Sequence, residues 1–234
     1  MVIAPGEFTE LDYGVRDGVA WLYLNRPHAR NACTPRLYQE LRWAIRAANS
    51  DESVDLLVLS GRGTAFCAGA DLKESQRLMR AGGSLAMHDF TDQLPFDDLR
   101  DSGKTVIAAV NGACYGSGVV MAVWCDLSVA VASARFSLPE ARLGAADSFT
   151  PSVLFGRVPA PKLKHMIFTG VVLSAEQAES YGLIGEVVPD GTLENRVSEL
   201  IAEVRTTSPD SRRIYKRMLN ELVPRPFGRG REDS

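Results

Sequence analysis

The chain has 234 residues, enough for one domain with a sizeable core, and its 26 lysines and arginines against 29 aspartates and glutamates leave a net charge of -3. That balance argues against general nucleic-acid binding, and no apolar run approaches the roughly 18–20 residues of a membrane span. Cys33, Cys67, Cys114 and Cys125 show no CxxC spacing, which predicts reduced structural thiols in a cytoplasmic protein.

In chain order, residues 1–10 lack the charged start and apolar core of a secretory signal. Phe8–Tyr13 and Val19–Leu24 alternate around Arg16-Asp17-Gly18, which predicts a hairpin stopped by Asn25-Arg26-Pro27. Thr34-Pro35 carries the cap-then-proline signal of a helix start, and Leu37, Leu41 and Ile45 give that helix one buried face. A strand follows at 54–60. Helix is expected over 71–80, an interruption at Ala81-Gly82-Gly83, and a ragged helical pattern over 84–99 that includes His88. Further strands are expected at 105–110, 126–132 and 135–137, with a turn at Leu138-Pro139-Glu140. Helices then dominate, at about 148–157, 161–169, 174–181, 192–207 and 209–222, with a last strand at 185–188. No zinc, haem or phosphate-loop signature appears, and Gly116 and Gly118 do not complete a GxGxxG.

Two stretches share one local plan. Leu56–Ser60 runs into Gly61-Arg62-Gly63 and then Ala65-Phe66-Cys67-Ala68-Gly69-Ala70-Asp71, where Asp71 is placed to cap a helix. Thr105–Val110 runs into Asn111-Gly112, then Tyr115-Gly116-Ser117-Gly118, then an apolar run from Val119 to Cys125 that suits a buried helix. Strand, glycine turn and helix together leave free backbone N–H groups at the helix start. Two such turns can each give one N–H to a single oxygen, the geometry of an oxyanion hole. The alternative is a pair of tight turns whose glycines only satisfy backbone dihedrals.

The pieces AFCAGADLKE at 65–74, KTVIAAVNGACYGSG at 104–118, CDLSVA at 125–130 and FSLPEARLG at 136–144 decide how the chain is read. With LNRPHARNA at 24–32 and SAEQAESYGLIGEVVP at 174–189, they follow one another as in the crotonase (enoyl-CoA hydratase/isomerase) superfamily, which this chain resembles over nearly its whole length. The resemblance implies an α/β crotonase fold, a spiral of ββα turns over 1–190, with a C-terminal helical trimerisation segment at 191–226 and a disordered polar tail at 227–234. It implies an acyl-CoA thioester as ligand and no permanently bound cofactor or metal, since coenzyme A arrives as part of the substrate. It also implies a homotrimer or hexamer, and the charge balance and short apolar runs already argue for no nucleic-acid or membrane partner. Family members usually carry a longer C-terminal helix, so one wall of the CoA site and part of the trimer contact are expected to differ here.

By family position, the backbone N–H groups of Ala70 and Ser117 would form the oxyanion hole. Ala68 would offer its carbonyl to the adenine, with Arg26, Arg30 and Lys73 as candidate CoA contacts. Solvated loop charges are the alternative for those three. Hydration of an enoyl thioester needs two carboxylates; this chain has Val120 at the first position and Glu140 at the second. One carboxylate suffices to move a proton between carbons, so isomerase-like chemistry is expected and efficient hydration is not. Glu140 could instead be a surface or capping acid. Asp147 falls, across a one-residue gap, in the part of the site that supplies a nucleophilic aspartate in the superfamily's aryl-CoA dehalogenases, which leaves a hydrolase or dehalogenase-like activity open beside a plain N-cap. Neither His28 nor His165 sits in an obvious catalytic motif. A non-catalytic acyl-CoA- or partner-binding protein is the remaining alternative.

Overall fold

A computed structural model describes residues 7–71, 73–74, 94–146 and 149–222. Leu11–Arg16 (β1) and Val19–Leu24 (β2) form the antiparallel hairpin, with Asp17 and Gly18 both left-handed at its tip. The first strand begins three residues later than its alternation predicts. The physical reason is Glu40: its buried carboxylate accepts the N–H groups of Thr9, Glu10 and Leu11, so this stretch is held by a side chain before it meets β2. Glu40 lies on Pro35–Ser50 (α1), whose first turn is capped by Thr34 Oγ1 accepting from Leu37 N at 3.0 Å.

The remaining strands alternate long and short. Leu56–Gly61 (β3) is followed by Ala65–Cys67 (β4), Thr105–Val110 (β5) by Ala113–Tyr115 (β6), and Leu127–Val131 (β7) by Arg135–Ser137 (β8). Phe96–Arg100 (α2) leads into β5, and Ser117–Trp124 (α3) leaves β6. After β8 come Phe149–Leu154 (α4), Ala160–Thr169 (α5), Leu173–Ser174 (β9), Ala175–Ser180 (α6), Glu186–Val188 (β10), Leu193–Arg205 (α7) and Pro209–Glu221 (α8). The long strands, with the three-residue β10, build a six-stranded sheet in the order β1-β2-β3-β5-β7-β10, parallel except for the hairpin. The short strands build a second sheet in the order β4-β6-β8-β9, with β4, β6 and β8 parallel. Each long-short pair is one turn of a spiral, so the segments that leave β4, β6 and β8 lie side by side.

Sharp corners make this possible. A Cβ on Gly61 would lie 2.2 Å from Ala65 O, and one on Gly112 would lie 2.1 Å from Thr64 O, so neither position accepts a side chain. Asn111 Nδ2 donates to Gly61 O at 2.8 Å and Gly63 O at 3.0 Å, while Asn31 Nδ2 donates to Ala65 O at 2.7 Å. Alternation then sorts the core. Leu57, Leu59, Val106 and Ala108 face α1 and α3 in the main cluster, and Leu56, Val58 and Ile107 face the opposite side under Val197 and Ile201 of α7. Burying each large side chain contributes about 1.5–3 kcal/mol.

Most predicted elements are present within a residue or two. The buried helix expected from Val119 starts earlier, at Ser117, because Gly116 supplies the turn at φ 53°. Glu140 opens a 3₁₀ turn, Glu140–Leu143, after the expected bend. The interruption at 81–83, the rest of the 71–80 helix after residue 74 and most of the 84–99 pattern, His88 included, lie outside the described residues. Among the described residues, no helix is long and apolar enough to cross a membrane.

Candidate active site

The segment after β4 is laced to residues 30–33 by alternate backbone groups. Ala68 N donates to Arg30 O at 3.0 Å, Cys33 N to Gly69 O at 2.8 Å, and Asp71 N to Cys33 O at 2.9 Å. Ala70 sits between the last two bonds. Gly69 holds φ 92°, a conformation open to glycine, and a Cβ there would press on Tyr115 O at 3.3 Å.

The segment after β6 is its neighbour. Gly116 N donates to Ser137 O at 3.0 Å, and Gly116 O accepts from Val119 N at 3.0 Å and Val120 N at 3.3 Å. Ser117 is the first residue of α3, where N–H groups have no intrahelical acceptor. Gly118 is required two residues on, because a Cβ there would lie 2.7 Å from Cys67 O. The two segments touch backbone to backbone: a Cβ on Gly69 would lie 3.7 Å from Gly116 Cα. Ala70 and Ser117 directly follow these paired glycines. Among the described residues, neither backbone N–H has a protein acceptor.

The segment after β8 adds a carboxylate. Pairing of Tyr115 with Ser137 brings Pro139 and Glu140 beside Gly116, and Glu140 Oε1 lies 2.5 Å from where a Gly116 Cβ would stand. Three consecutive turns of the spiral thus bring Ala70, Ser117 and Glu140 to one place. Val120, one turn into α3, is 1% exposed and part of the main core.

Sequence reasoning missed what lies behind the two turns. Cys33 Sγ and Cys67 Sγ are 3.5 Å apart, and the buried Ser117 hydroxyl faces both thiols and the Tyr38 phenol. The hydrogen bond with Cys67 and burial hold the Cys33 thiol well above the ordinary range, and burial does the same for Tyr38. The Cys33 thiol and the Tyr38 phenol are thus neutral groups at the back of the turns, while the hydrogen bond from Cys33 pulls the Cys67 thiol the other way. The isolated spacing of Cys33 and Cys67 carries no signal of that pairing.

The description "Enoyl-CoA hydratase/isomerase" belongs to a family model that matches residues 14–231. The chain belongs to the enoyl-CoA hydratase/isomerase family. It is similar to a crotonyl-CoA hydratase of Syntrophomonas wolfei, 33% identical over 209 residues that span 87% of this chain and 78% of that protein. It is also similar to a hydroxycinnamoyl-CoA hydratase-lyase of Pseudomonas fluorescens, 32% identical over 212 residues, 87% of this chain and 75% of that one. A solved structure from Pseudomonas aeruginosa superposes with a TM-score of 0.85 at 33% identity, covering 94% of both chains. The two named relatives differ in reaction at nearly equal identity, so overall similarity assigns the family and leaves the reaction to individual residues. As a member of the enoyl-CoA hydratase/isomerase family, this protein is an acyl-CoA-processing enzyme.

The other expected site residues fall into two groups in this family member. Arg30 is exposed, left-handed at φ 50°, and bonded through its carbonyl to Ala68, so these two candidate CoA contacts are adjacent. Lys73 is exposed, and its N–H is capped by Asp71 Oδ1 at 3.1 Å. Arg26, by contrast, has a side chain only 14% exposed, paired with Asp71 and Glu10. His28 and His165 are exposed. Asp147 lies outside the described residues.

Proposed function

We propose that this enzyme binds an acyl-CoA and stabilises the thioester enolate with the backbone N–H groups of Ala70 and Ser117. The observation that carries the reading is their common position beside the Gly69–Gly116 contact, with the Glu140 carboxylate against Gly116. Negative charge grows on the thioester oxygen as the enolate forms, so fixed donors bind the transition state more tightly than the neutral ground state. Glu140 takes a proton from the α- or γ-carbon, the C–H electron pair passes into the enolate, and the same carboxyl returns the proton to the other carbon. This is isomerase-like chemistry. Hydration needs a second acid–base group, and Val120 stands in its place, buried among apolar side chains.

Arg30, Ala68 and Lys73 are proposed CoA contacts, on the family register and their shared location. We further propose a trimer or a dimer of trimers, assembled through the C-terminal helices. The support is α8: Arg212, Lys216 and Asn220 hold it to the body, while Ile214, Tyr215, Met218 and Leu219 are exposed.

The test uses an acyl-CoA series in deuterated water. CoA esters that bind raise the melting temperature through linkage. The protein should then exchange an α- or γ-proton of a bound acyl-CoA, read by mass spectrometry. Glu140→Gln keeps the size of the side chain and removes the base, so exchange should fall about 10²-fold or more while binding survives. Acyl-CoAs that bind without exchange, in parent and variant alike, would favour the non-catalytic reading. A larger loss in Asp147→Asn than in Glu140→Gln would move the acid–base role to Asp147.

A further inference from the structure

Ala70 can direct its N–H only as well as its two neighbours are held, and both neighbours hang on Cys33: Gly69 O accepts from it and Asp71 N donates to it. The segment carrying Cys33 is conformationally costly. Arg30 and Asn31 are consecutive non-glycine residues at φ 50° and 56°, a pair that persists only where its surroundings hold it.

One residue supplies most of that hold. The Arg26 backbone accepts from Ala29 N and Asn31 N, each at 2.9 Å, and donates to Asn31 Oδ1 at 2.9 Å. Its guanidinium Nη1 donates to Ala32 O and, at 3.0 Å, to Asp71 Oδ2. Nε faces Glu10 Oε1 at 3.3 Å, and Glu10 also accepts from Thr34 Oγ1. Asp71 uses its other oxygen for the N–H groups of Lys73 and Glu74. A single nitrogen therefore grips both segments that frame Ala70, and its ion pair with Asp71 is 14% exposed on each side. Holding Glu10 with Nε while Nη1 holds Ala32 and Asp71 takes two nitrogens in one fixed plane, which lysine's single ammonium does not offer.

We propose that Arg26 is a positioning residue for the Ala70 N–H, acting through Ala32 and Asp71, and that it is not a ligand of CoA phosphate. The proposal rests on the reading of Ala70 and Ser117 as thioester-oxygen donors. Arg26 sets the angle at which the first of these donors meets the oxygen, so its loss weakens carbonyl polarisation and leaves CoA affinity in place.

Cinnamoyl-CoA is the probe, because its absorption moves to longer wavelength when the thioester carbonyl is polarised. The full chain should shift this band on binding. Arg26→Met and Asp71→Asn should each lose most of the shift, the double variant should lose little more, and Arg26→Lys should not recover it. Affinity for free CoA should change less than about twofold in all of them, since uniform binding is untouched. A full shift in Arg26→Met with CoA affinity weakened about tenfold or more would make Arg26 a phosphate ligand and overturn the proposal. If Arg26→Met fails to fold, the near-isosteric Asp71→Asn decides: an undiminished shift there overturns it equally. A parent protein that binds cinnamoyl-CoA without any shift sinks the donor reading itself, which separates the two failures.

Discussion

Glu40 shows how one buried carboxylate can fix the backbone that leads into a strand. Burial alone would raise its pKa, but the Arg36 guanidinium and the N–H groups of Thr9, Glu10 and Leu11 outweigh that and hold it below the ordinary carboxylate value. A depressed folded pKa contributes stability that is present above the unfolded value and lost as pH falls through the folded one. The parent should therefore lose melting temperature below about pH 4.5 more steeply than Glu40→Gln. At neutral pH the variant should already be destabilised, by about 1–3 kcal/mol, because its amide keeps one acceptor oxygen and turns an NH2 donor toward either the Arg36 guanidinium or the N–H groups of Thr9, Glu10 and Leu11. Parallel melting curves for the two proteins across the acid range would show Glu40 to be incidental. Its role was not legible in the sequence, because its partners are backbone groups about 30 residues away with no side-chain signature.

At the scale of elements, the turn that opens α3 carries both conformational strain and the site. Gly116 has φ 53°, and a Cβ there would meet Glu140 Oε1 at 2.5 Å. Gly191 has φ 84° with nothing within 4 Å of its Cβ position, so it isolates strain from contact. Alanine should cost roughly 1–2 kcal/mol of stability at Gly191, from strain alone, and more at Gly116, where the contact with Glu140 adds to it. Only Gly116→Ala should also reduce proton exchange, by about tenfold or more, because it displaces the proposed base. Equal exchange in the two variants would remove Glu140 from the chemistry. The glycine turns themselves were legible as strand, break and apolar helix. That Gly69 and Gly116 touch was not, since their contact follows from β4 and β6 pairing across a gap of more than 40 residues.

Among the described residues, one face of α8 is left exposed. Its polar side is tied down by Lys216 to Asp126 at 2.8 Å and by Asn220 to Arg100 O at 2.7 Å, which turns Ile214, Tyr215, Met218 and Leu219 outward. A contiguous exposed apolar face of this kind marks an interface. The proposed self-association should appear in sedimentation equilibrium as a trimer or hexamer, and Met218→Glu with Leu219→Glu should shift it toward monomer. The parent's melting temperature should rise with protein concentration and the variant's should not. A parent that stays monomeric up to about 100 µM would show that this face serves something else.

Local chemistry was enough to mark out the elements. Alternation in the hairpin, the Thr34-Pro35 cap, the buried runs of β3 and β5, and the two glycine turns are short-range features whose residue types dictate their conformation. The motifs at 65–74, 104–118 and 136–144 were enough to point to the family. What required the tertiary structure was everything set by stacking one spiral turn on the next. The contact of Gly69 with Gly116, the placing of Glu140 over Gly116, the Cys33–Cys67 pair and the grip of Arg26 on Asp71 each join residues that only parallel strand pairing brings together. Sequence spacing reports what neighbours along the chain can do, whereas a site shared by three turns depends on register, and register is decided by the packing of the whole sheet.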